Sequence, residues 1–98
     1  MLLLAAALAT AGAGGCAGAP LQEMSDARQA VRAAERAGAG QHAPKELAEA
    51  KRLVEKARAS MQQGEYRDAR DDAERARERA TEARRLAEDA GGPSAGTR

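Results

Sequence analysis

The amino-acid sequence predicts an all-α domain, a short three-helix bundle, and three observations carry that expectation. Apolar residues recur at spacings of three and four from Leu21 onward, which lines them along one side of a helix. Prolines and glycines punctuate these runs: Pro20 and Pro44 open them, while Gly38, Gly40 and Gly64 close them. The residues in between are largely charged, at 32% of the chain, and many acids and bases fall one helical turn apart.

The first predicted helix spans roughly residues 20–37, with Leu21, Met24, Ala27, Val31 and Ala34 on its apolar face. Pro20 suits a first helical position because its missing N–H has no partner to lose there. Gln41, His42 and Ala43 then form a loop leading to Pro44, which opens a second helix ending near Gln63. Leu47, Ala50, Val54, Ala57 and Met61 form its stripe, flanked by Leu53, and Gly64 stands where a left-handed residue ends a helix.

The third helix carries the clearest pattern. Tyr66, Ala69, Ala73, Ala76, Ala80, Ala83, Ala87 and Ala90 continue at three and four without a break. A strict repeat of this kind implies a left-handed supercoil against a neighbouring helix. Alanine at nearly every seam position lets the two backbones approach closely. The second and third helices therefore read as an antiparallel hairpin with an Ala-rich heptad seam. Each buried methyl contributes only about 0.8 kcal/mol, and the third helix is longer than the second, so Ala83 to Ala90 are expected to lack a long partner within the chain. Self-association or a protein partner follows as an expectation. Intrahelical pairing is expected for Arg67 with Asp71, Arg70 with Glu74, Asp71 with Arg75, Arg84 with Glu88 and Arg85 with Asp89.

The charges divide the chain in two, since none occurs before Glu23. Leu2 to Ala9 is an apolar run followed by the small residues Thr10 to Gly15, the order of a signal-peptide core leading to a cleavage site. The run is too short for a spanning helix, which needs about 20 mostly apolar residues. Cys16 is the only cysteine, so it has no intramolecular disulfide partner. The stretch Ala13-Gly14-Gly15-Cys16 resembles the lipobox of bacterial lipoproteins. That resemblance implies a diacylated Cys16 as the mature N-terminus, a Gram-negative cell envelope, and a membrane held through the lipid anchor. Ala17 differs from the Asp of an inner-membrane retention signal, so the inner leaflet of the outer membrane, facing the periplasm, is the expected place. The alternative is ordinary secretion after Ala13, which leaves Cys16 as a free thiol in the periplasm. The expected division is a lipoprotein signal peptide at 1–15, a lipidated N-terminus and linker at 16–24, a helical domain at 25–90 and a disordered tail at 91–98.

From about Leu21 to Ala90 the chain resembles the bacterial domain of unknown function family 4398, found mainly in proteobacterial lipoproteins. The features are Arg36-Ala37-Gly38-Ala39 closing an Ala-rich helix, the junction Ala43-Pro44-Lys45-Glu46-Leu47, the spacing of Leu47, Ala50, Val54 and Ala57, and Gly64-Glu65-Tyr66 followed by Ala69 and Ala73. Pro44 to Ala83 is also similar to one tetratricopeptide-type hairpin. A single hairpin is not a repeat array, so no concave peptide groove follows from it.

Several function classes are excluded as expectations. The formal charge of +1, from 16 Lys and Arg against 15 Asp and Glu, gives no field for steering nucleic acid. Tyr66 is the only aromatic residue, so base stacking has little to work with. His42 is the only histidine and has no neighbours with metal-ligand or general-base spacing, so it reads as a loop residue. Asp71 with Asp72, and Glu88 with Asp89, are adjacent on a helix and point about 100° apart, so they do not converge and read as surface. No phosphate loop or nucleophile set is evident. The chain is expected to be no enzyme, to use no cofactor or metal, and to have no small-molecule substrate. The expected role is a helical interaction or scaffold module of the envelope. The alternatives are a membrane-surface helix or an accessory subunit of an envelope complex.

Overall fold

A computed structural model describes residues 18–93. Among them the chain forms four helices and no strand: α1 at Leu21–Arg36, α2 at Ala39–His42, α3 at Pro44–Gln62 and α4 at Tyr66–Asp89. The signal peptide, Cys16 and the tail from residue 94 onward lie outside the described residues.

The element that the periodicity did not signal is α2, a single turn where a loop was expected. Gly38 takes φ +94°, and its N–H meets the Glu35 carbonyl at 3.0 Å, which ends α1. The helix restarts at once, with the Ala43 N–H on the Ala39 carbonyl at 2.8 Å. One turn has almost no stability of its own. It forms here because it delivers Ala39 and Ala43 into the core, where both are buried.

The turn between α3 and α4 is a complete Schellman closure. The Gly64 N–H reaches the Met61 carbonyl at 3.1 Å and the Glu65 N–H reaches the Ser60 carbonyl at 2.9 Å, with Gly64 at φ +77° supplying the left-handed residue. The same pair of bonds ends α4, through Gly91 to Glu88 at 3.1 Å and Gly92 to Ala87 at 2.9 Å. The segment Gly91 to Pro93, assigned from sequence to the tail, is thus bonded into the end of α4, and Gly92 is buried.

The helical domain also starts earlier than Ser25. Pro20 is the buried residue preceding α1 rather than its first residue, and Met24, 2% exposed, belongs to the core. Residues 20–24 are therefore part of the packed unit, because the first turn of α1 carries one of its largest apolar side chains.

Ion pairs between helices fix their directions. Lys56–Asp72 and Glu49–Arg79 join α3 to α4, and the partners move in opposite senses along the two helices, so α3 and α4 run antiparallel. Glu23–Arg70 joins the starts of α1 and α4, while Gly38 and Pro93 meet beyond their ends, so these two helices run parallel. Helix α4 is the common support: α3 and α1 each pack more extensively on it than on each other.

On α4, Ala69, Ala73, Ala76, Ala80, Ala83 and Ala87 are all 0% exposed. Tyr66 at one end of this stripe is half-buried, and Ala90 at the other is exposed. Ala83 and Ala87 are nonetheless buried, so the part of α4 that outruns α3 is covered within the chain by something shorter than a long helix. Helix α2 packs on α4 and, with Ala43, covers the length that α3 leaves bare. The opposing stripe on α3 is centred on Leu53, 1% exposed. Leu53 was read as flanking, yet it is the most deeply packed large side chain of α3. Ser60 is buried in phase with it, while Met61 is only partly buried. On α1, Leu21 departs from the predicted face and is 67% exposed, because Pro20 takes the buried position in phase with Met24, Ala27, Val31 and Ala34.

Candidate interaction surface

The functional candidates must be sought on the outside, because the apolar seam is consumed by the fold. Two faces of the domain differ in chemistry. On the α3 side the surface is mixed in charge. Arg79 Nε meets Glu49 at 3.3 Å, and Asp72 accepts from Arg75 Nη1 at 3.3 Å with Lys56 Nζ at 3.9 Å.

Asp72 is the residue that the sequence reading placed wrongly. It is 4% exposed, whereas its neighbour Asp71 is at the surface. The signal that could have revealed it is phase: Asp72 stands three residues after Ala69 and four before Ala76, on the flank of the seam. A carboxylate withdrawn from water needs charged or hydrogen-bonding partners, and Lys56 and Arg75 supply them from opposite helices. Their own side chains are more than half exposed, so the cations keep much of their hydration.

The intrahelical pairs only partly follow the spacing argument. Arg84–Glu88 and Arg85–Asp89 form, at 2.8 and 3.0 Å. Arg70 turns instead to Glu23 on α1 at 3.5 Å, and Arg75 turns to Asp72. A second acid at hand, or a cross-helix partner that also anchors packing, outweighs the few tenths of a kcal/mol of a surface pair one turn away. Bonding to Glu82, reinforced by Asp89, raises the Arg85 pKa above its ordinary value.

On the α1 side the surface is a groove between α1 and α3. Val31 and Val54 form its floor, and Arg28, Arg32, Lys51 and Glu55 form its walls, around a volume of about 390 Å³. Lys51 bonds Glu35 at 2.7 Å and Glu55 is held by Arg58 at 3.2 Å. The wall provided by α1 has no such neutralisation.

His42 is not a loop residue. It is the last residue of α2, half-buried, and its Nε2 stands 3.2 Å from the Gly92 carbonyl, to which it donates in the tautomer protonated there. It ties the short helix to the end of α4, which is a structural task. Cys16 lies outside the described residues, as stated above. Among the described residues no group of His, Cys, Asp and Glu is placed to hold a metal ion, and no described helix is long and apolar enough to cross a membrane.

These features define a small all-helical domain, built on one alanine-lined helix, with charged flanks and one apolar groove. The chain belongs to the family described as a domain of unknown function (DUF4398), which matches residues 22–91. That span runs from the first turn of α1 to the glycine ending α4. No curated protein and no solved structure matches the chain.

Proposed function

We propose that the protein is a non-catalytic helical interaction or scaffold module, held at the cell envelope by a lipid on Cys16. The observation that carries this reading is the placement of the two ends of the domain. The chain enters at Gly18, whose carbonyl lies 3.5 Å from Arg70 Nη2 at the start of α4. It leaves at Gly92, bonded to His42 beyond the far end of α4. The 24 residues of α4 separate these poles by about 36 Å at 1.5 Å per residue. An anchor two residues before Gly18 would therefore hold the domain upright, with its long flanks turned sideways toward proteins of the envelope and its far pole directed away from the lipid.

In this reading the three long helices act as a three-helix bundle, and α3 with α4 is a tetratricopeptide-like antiparallel hairpin used singly. The inner leaflet of the outer membrane, facing the periplasm, is the proposed place. The partner is a protein rather than a nucleic acid or a small-molecule substrate, and the module would serve equally as an accessory subunit of an envelope complex. A membrane-surface role for α4 is disfavoured. Its alanine stripe is buried within the domain, and five of its arginines, Arg70, Arg75, Arg79, Arg84 and Arg85, already bond acids, whereas an interfacial helix needs a free apolar face with large side chains.

Intact-mass analysis of the membrane fraction tests the reading. A mature chain beginning at acylated Cys16, and loss of the protein from membranes in Cys16→Ser, are expected. A mature chain beginning at Gly14 without acyl mass would overturn it.

A further inference from the structure

The groove between α1 and α3 is an apolar surface that no described element of the chain covers. It exists because both helices rest on α4 and meet each other only loosely. Val31 and Val54, each 8% exposed, leave a shallow floor between them, and the aliphatic stems of Arg28, Arg32 and Lys51 extend it upward.

The charges along α1 say what kind of partner fits. Its arginines are Arg28, Arg32 and Arg36, which recur every four residues and so form one exposed stripe along the helix. None of the three forms an ion pair among the described residues. Two acids of α1 pair with other helices, Glu23 with Arg70 and Glu35 with Lys51, while Asp26 accepts from the neutral Gln22 and pairs with none of the three arginines. An apolar floor bounded on one side by an unneutralised basic stripe is complementary to an amphipathic helix with an acidic flank.

We propose that this groove docks an acid-flanked amphipathic helix of a partner protein, which would lie between α1 and α3 as an additional helix of the bundle. The proposal rests on the reading of the chain as an interaction module and names the surface that it uses. A second copy does not meet the requirement. Its own groove would bring a second arginine stripe against the first, and its acid-rich helix α4 keeps its apolar stripe buried.

The test is titration of the full chain with two designed helical peptides, each with leucine at the a and d heptad positions. One carries glutamate at e and g, the other lysine. Vesicles containing phosphatidylglycerol form a third arm. The acidic peptide is expected to bind at least about tenfold more tightly than the basic one, with amide shifts concentrated on α1 and α3. The double variant Arg28→Glu, Arg32→Glu should reverse that preference, while Arg77→Glu on the outer side of α4 should leave it unchanged. Both substituted arginines are exposed, so an unchanged helical melt verifies that the double variant is folded. Equal binding of the two peptides, no binding of either, shifts confined to α4, or Arg28 and Arg32 engaging only the vesicles would each overturn the proposal. A photo-reactive residue at Lys51 or at Arg77 in the anchored protein separates the two readings: protein cross-links from Arg77 alone would remove the groove and leave the module, and none from either position would remove both.

Discussion

The two interfaces that α3 makes are built from the same helix and have opposite outcomes. Toward α4 it meets a stripe of fully buried alanines, with Leu53 set into it and ion pairs crossing at Lys56–Asp72 and Glu49–Arg79. Toward α1 it borders an open groove lined from that helix by Arg28, Val31 and Arg32, with Lys51–Glu35 the one cross-helix ion pair among the described residues. The difference lies in side-chain size at the crossing. Where one helix offers only methyl groups, backbones approach and a larger residue from the other side fills the space between them. Where both helices carry branched or long side chains and nothing lies above them, the surfaces touch at their base and remain apart at their rim. In a domain with no tryptophan and no phenylalanine, closeness of approach replaces bulk as the source of packing.

The largest effect is expected where bulk is scarcest. Leu53→Ala removes the most deeply buried large side chain of α3, and a change of this kind costs about 2–5 kcal/mol; chemical denaturation measures it. A loss below about 1 kcal/mol would mean that the seam collapses onto the vacancy, and that Leu53 is less important than its burial implies.

Two of the left-handed glycines, Gly38 and Gly64, sharpen the contrast at the ends of the helices. A Cβ at Gly38 would stand 3.1 Å from Pro93 N and 3.2 Å from its Cα, whereas at Gly64 it would meet nothing within 4 Å. Gly64→Ala should therefore cost only the left-handed conformation, about 1–2 kcal/mol. Gly38→Ala should cost more, since backbone must also move, and the excess should vanish in a chain ending at Gly91. Equal costs in the full chain would show that the contact with Pro93 is not held.

The smallest effect belongs to the open interface. Val54→Leu adds a methylene beside the groove, where there is room, and should cost less than about 1 kcal/mol. A cost comparable to overpacking a closed core, about 1–3 kcal/mol, would indicate that the α1–α3 contact is as tight as that of α3 with α4.

Much of the fold was legible because periodicity and turn chemistry act locally. The alternating threes and fours from Leu47 to Met61 and from Ala69 to Ala87, with Gly64 between them, suffice to place α3 and α4. What could not be read depends on neighbours distant in sequence. Helix α2 forms only because Ala39 and Ala43 find the end of α4. Asp72 is buried only because Lys56 arrives from α3. Leu21 is exposed because Pro20, and not Leu21, meets the neighbouring helices. His42 acquires its role from Gly92, fifty residues onward. The candidate surface was illegible for the same reason: Arg28, Arg32 and Arg36 look like any solvated face until the acids of α1 are seen to pair with none of them.

The alanine stripe of α4 holds the domain together by close packing, not by abundance of alanine. Thermal unfolding of Ala76→Leu beside Arg77→Leu tests this directly. Ala76 is 0% exposed and its neighbour Arg77 is at the surface, while leucine is about as good a helix former as arginine. Ala76→Leu should cost about 1–3 kcal/mol by overpacking, a fall in Tm of at least about 4 °C in a domain of this size, with Arg77→Leu nearly unchanged. An Ala76→Leu protein as stable as Arg77→Leu, or more stable, would contradict close packing and leave α4 a charged helix loosely held by its neighbours.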